Sequence, residues 1–195
     1  MEVSQEQARD LLKDLDQVAR DASAKVAHGI VGPFLIIWGA VWVVCFTMEY
    51  FSPRYAGWAW LVGNILGWVG TLYWTWVGIG RGPVQSVASR ALTWRLFAFV
   101  LAVLVYAFLW LAILKPVPGV RIGVFFVTLW MFAFVVMGLW MEMRFMVVLG
   151  LAITLAAAAG YFGPFVPLRY IDLWLAMTGG MGLLGSGIYL VYRWR

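Results

Sequence analysis

Long apolar runs separated by short polar breaks dominate this chain from about residue 30 to its end. The runs fall at about 30–51, 57–79, 92–114, 121–140, 145–162 and 170–192. A helix rises about 1.5 Å per residue and the hydrocarbon core of a bilayer is about 30 Å thick, so about 20 apolar residues make one crossing. The pattern predicts an all-α, polytopic membrane protein: a six-transmembrane-helix bundle over 29–195, preceded by a cytoplasmic amphipathic helix. Gly80-Arg81-Gly82-Pro83 ends the second run and opens the longest internal loop, to about Arg90. Lys115-Pro116-Val117-Pro118-Gly119 ends the third run, and Gly163-Pro164 the fifth. Between runs four and five the only break is Met141-Glu142-Met143-Arg144, without Gly or Pro. One unbroken helix over 121–162 would be about 60 Å long, twice the bilayer, so a tight turn is expected at those four residues.

The polar stretch 1–28 has a different period. Ser4 and Gln7 fit a capping box. Ala8, Leu11, Leu15, Val18 and Ala22 then recur at alternating spacings of 3 and 4. That is a heptad seam, and it predicts an amphipathic helix over 4–27. The seam suits a protein partner, self-association as a weak coiled coil, or packing under the membrane domain. The acidic residues Glu6, Asp10, Asp14, Asp16 and Asp21 disfavour a helix lying on headgroups, because such helices are basic on their polar face. The same acidic residues and the lack of an apolar core argue against a cleavable signal peptide in this stretch.

Composition sharpens the membrane assignment. Of 195 residues, 64% are hydrophobic and 12% charged, against about 45–50% and about 25% in soluble domains. With the N-terminus inside, the inner side carries Arg9, Lys13, Arg20, Lys25, Arg81, Arg90, Arg95, Arg144, Arg193 and Arg195. The outer side carries Arg54, Lys115, Arg121 and Arg169. Basic residues accumulate on cytoplasmic loops, so this ten-to-four bias places both termini in the cytoplasm. Trp58, Trp60, Trp140, Trp174 and Trp194 sit near run ends, where indoles favour the headgroup level. The net charge of +5 is thereby explained by topology rather than by nucleic acid. The expected location is a bacterial cytoplasmic membrane.

Candidate chemistry is sparse. The sixth run holds Gly179, Gly180, Gly182 and Ser186, and the second holds Gly63-Asn64-Ile65-Leu66-Gly67. Small residues four apart let helix backbones approach closely in lipid, so these positions are candidates for helix packing or for lining a pathway. The glycines of the sixth run match neither a P-loop nor a dinucleotide fingerprint. Glu49, Arg54, Arg169 and Asp172 form a candidate charge cluster at the outer ends of runs one and six. Asn64, with Thr71 and Thr75, is the deepest polar group and is expected to bond between helices. The chain holds one histidine, His28, and one cysteine, Cys45, so no disulfide within the chain, no metal set and no catalytic triad is expected. No cofactor is implied.

Two functional classes fit. An accessory or interaction subunit would act through the cytoplasmic helix, anchored by the bundle. A small homo-oligomeric channel or transporter would place the glycine-rich sixth run near its pathway. The near absence of intramembrane carboxylates favours the first and disfavours an enzyme.

Overall fold

The computed structural model describes residues 31–80, 87–114 and 119–193, together with Arg9, Leu11, Asp14 and Gln17. Those four N-terminal residues are helical and exposed. The rest of the predicted helix 4–27, including Ala8, Leu15, Val18 and Ala22, lies outside the described residues, as do His28 and residues 81–86 and 115–118.

The described chain is all-helical. Helix α1 (Gly32–Phe51) carries Pro33 in its first turn, which suits it because its missing N–H would be unbonded there. A 3₁₀ turn (Pro53–Tyr55) leads into α2 (Ala56–Gly80). Helices α3 (Val87–Leu114), α4 (Gly119–Trp140) and α5 (Arg144–Phe162) follow. A second 3₁₀ turn (Leu168–Tyr170) opens the last rod, in which α6 (Ile171–Leu175) passes through a π-helical segment (Ala176–Met181) into α7 (Gly182–Arg193). Helix α3 begins before its apolar run. Val87-Ala88-Ser89-Arg90-Ala91 contains no Gly or Pro, so nothing local stops the helix at the apolar boundary.

Five helical stretches are long and apolar enough to cross a membrane: Gly32–Phe51, Phe97–Leu114, Gly119–Trp140, Arg144–Phe162 and Leu168–Arg193. Helix α2 is not among them. It has 25 residues and no charged side chain, but five tryptophans, Asn64, Thr71 and Thr75 stand where aliphatic residues would raise its hydropathy.

Helix α1 is the hub. Its buried positions Leu35, Gly39, Trp42 and Phe46 follow spacings of 4, 3 and 4, one stripe along the helix. This stripe faces Val127, Met131 and Phe134 of α4, Ile153 and Ala157 of α5, and Leu175 and Leu183 of the last rod in one continuous core. Helices α2 and α3 stand at the periphery. Among its described side chains α3 buries only Val103 and Ala107, and α2 buries only Gly67. Most of their Leu, Phe and Trp side chains face outward, which lipid accommodates and water would not.

Helices α4 and α5 form a tight hairpin. The Met143 N–H donates to Gly138 O at 2.8 Å and the Glu142 N–H to Leu139 O at 3.4 Å. These are the two bonds of a Schellman C-cap, with Glu142 in the left-handed position that normally takes glycine. Glu142 has φ 56°. Directly below the turn, Gly138 lets the helices touch: a Cβ there would lie 2.9 Å from Val147 N. Further down, a Cβ at Gly150 would lie 2.8 Å from Met131 O. A left-handed conformation costs a residue with a Cβ roughly 1–2 kcal/mol. Glu142→Gly is therefore expected to stabilise the protein by about 1 kcal/mol. Cys45, the single cysteine, is 1% exposed, so its labelling by a thiol-reactive dye during heating reports unfolding in detergent. A lower midpoint for Glu142→Gly would contradict this account of the turn.

Candidate functional site

The last rod and α1 run antiparallel and meet backbone to backbone. A Cβ at Gly39 would lie 2.5 Å from Leu184 N and 2.9 Å from Gly180 O. A Cβ at Gly180 would lie 2.8 Å from Val43 N, and one at Gly187 would lie 2.7 Å from Gly32 O. Gly32 thus pairs with Gly187 and Gly39 with Gly180, each pair seven residues from the next on both helices. Of the sequence candidates on this rod, Gly180 lies in the seam. Gly179 instead seats the Trp42 indole, 3.2 Å from where its Cβ would be, and Gly182 faces Ile153 at 3.4 Å. Ser186 is half-buried. The partner glycines Gly32 and Gly39 are not legible from small residues four apart, because they stand seven apart. That heptad spacing, present on both α1 and the last rod, was the available signal.

The Gly63/Gly67 pair of α2 makes a different contact. A Cβ at Gly63 would lie 2.7 Å from Cys45 Sγ, and one at Gly67 would lie 3.3 Å from the Trp38 ring. Here glycines of α2 receive side chains of α1. Polar groups complete the seam: Trp38 Nε1 donates to Thr71 Oγ1 at 3.1 Å, and Cys45 Sγ donates to Ala59 O at 3.3 Å. Asn64 corrects an expectation. Its Nδ2 donates to Trp60 O at 2.8 Å within its own helix, not to a neighbour. The adjacent Gly63 takes the face toward α1, and a short side chain one position round the helix reaches its own preceding turn. Thr75 likewise donates to Thr71 O at 2.7 Å.

Where α1 ends and the last rod begins, the four charged candidates do not form ion pairs. Glu49 Oε2 accepts from Trp60 Nε1 at 2.9 Å. The Arg169 guanidinium lies 4.4 Å from the Tyr170 ring centroid, and that ring lies 5.9 Å from the Tyr50 ring. Arg54 is exposed. Both arginines are on short 3₁₀ turns, free to turn toward solvent, whereas the acids are on helices that face the bundle. Asp172 has one carboxyl oxygen, Oδ1, buried without a hydrogen-bond partner, and the charged group acting on it is Glu49. An uncompensated carboxylate beside another acid is unfavourable. Asp172→Asn is accordingly expected to leave the Cys45 labelling midpoint unchanged or raise it by a few degrees. A clear drop would show instead that the carboxylate stabilises the fold.

A cleft of about 60 Å³ opens between α1 and α2, lined by Phe34, Ile37, Thr71, Trp74 and Thr75. Sites for small ligands are generally about 300–1,000 Å³. The described residues bring no three His, Cys, Asp or Glu side chains together at metal-binding distance. Of the heptad seam predicted over 4–27, Leu11 alone is described, and it is 57% exposed.

Asn64 and Thr75 bond within their own helix, whereas the contacts of Trp38, Cys45 and Trp60 hold neighbouring helices together. Trp174 shows the same use: its Nε1 donates to Ala156 O at 2.8 Å, with the indole pressed onto Gly160 of α5. Comparison with known protein families, with characterised proteins and with solved structures yields no match.

Proposed function

We propose that this chain is an accessory or interaction subunit of a membrane assembly, anchored by six spans and acting through its N-terminal cytoplasmic helix. In this proposal α2 is the sixth crossing. At about 1.5 Å per residue its 25 residues reach about 37 Å, enough to cross the hydrocarbon. Its indoles suit a lipid-facing helix, and the basic residues put both termini on the cytoplasmic side of a bacterial cytoplasmic membrane.

The observation that carries the proposal is the closure of the bundle at its glycine face. Gly180 and Gly187 of the last rod are covered by the backbone of α1, and Gly179 is covered by Trp42. A homo-oligomeric channel or transporter with the sixth span beside its pathway needs that face open. Closure leaves the body as an anchor, and it leaves the heptad seam Ala8, Leu11, Leu15, Val18 and Ala22 as the clearest surface for a protein partner.

Deleting residues 1–27 tests the proposal. The truncated protein is expected to keep the Cys45 unfolding profile of the full chain and to lose at least one partner that co-purifies with the full chain from native membranes. Retention of every partner by a folded truncation would sink it. Solute flux through liposomes containing the full chain alone would favour the channel instead.

A further inference from the structure

We draw no further inference here: the strongest candidate, the Glu49–Asp172 carboxyl pair where α1 ends and the last rod begins, is two acids whose side chains are only partly buried, with no second feature that points to a ligand.

Discussion

Gly39→Val is expected to lower stability by at least about 3 kcal/mol, a large share of the roughly 5–15 kcal/mol that holds a typical fold. The Cβ it adds would meet Leu184 N and Gly180 O, both main-chain atoms, at 2.5 and 2.9 Å. A flexible side chain could swing aside from such a contact, but a helix backbone cannot. The helices must separate, and separation costs the dispersion contacts along the whole α1 seam. In lipid those contacts matter more, because no hydrophobic drive holds one apolar helix to another. Gly185 supplies the internal control. It lies on the same rod, and a Cβ there meets nothing within 4 Å. Gly185→Ala is therefore expected to be neutral or stabilising by up to about 1 kcal/mol, since alanine favours a helix over glycine. Gly39→Val is expected to lower the Cys45 labelling midpoint, and Gly185→Ala to leave it unchanged or raise it. Equal tolerance of both would mean that α1 and the last rod do not pack backbone to backbone.

The second large effect is expected at Gly160. A Cβ there would collide with the Trp174 indole, which is held in place by its bond to Ala156 O. Gly160→Ala is expected to cost about 2–3 kcal/mol, by displacing the ring and breaking that bond. Trp174→Leu removes the bond and much of the packing, and is also expected to destabilise. The double substitution is the informative one. With a smaller side chain at 174 the added methyl has room, so the combined cost should fall short of the sum by about 1–2 kcal/mol. Strict additivity in thermal unfolding would show that Gly160 and Trp174 do not share a contact.

These predictions concern positions of unequal legibility. Gly180 was visible as part of a glycine-rich run, but its partner Gly39 stands alone among aliphatic and aromatic residues. In a soluble helix the apolar stripe would show which face is inside. Here α1 is apolar all round, so that signal is lost and only the small residues carry the face. They are few, and their partners lie up to about 155 positions away along the chain, as Gly32 and Gly187 do. The turn is expected at Met141–Arg144 from helix length and the one polar break there, without glycine or proline to mark it. Its geometry, with Glu142 in a glycine conformation, could not be read from residue types. The charged residues near the ends of α1 and the last rod were legible as a group and not as partners. Coulombic attraction suggested pairing, but Trp60 and Tyr170 compete for Glu49 and Arg169.

The apolar runs and their breaks, by themselves, determined that this protein is helical and has helices able to cross a membrane. That conclusion rests on local quantities: the length of a helix, the thickness of lipid and the cost of leaving backbone groups unbonded there. Only the tertiary structure decided which helix is central, which glycines touch, and what the polar groups do. It made α1 the hub, closed the glycine face of the last rod, and turned Asn64 back onto its own helix. The reason is physical. Crossing a membrane depends on each segment's transfer into lipid, whereas packing within it depends on fit between segments far apart in the chain, and a nearly uniform apolar sequence encodes that fit in a few small side chains.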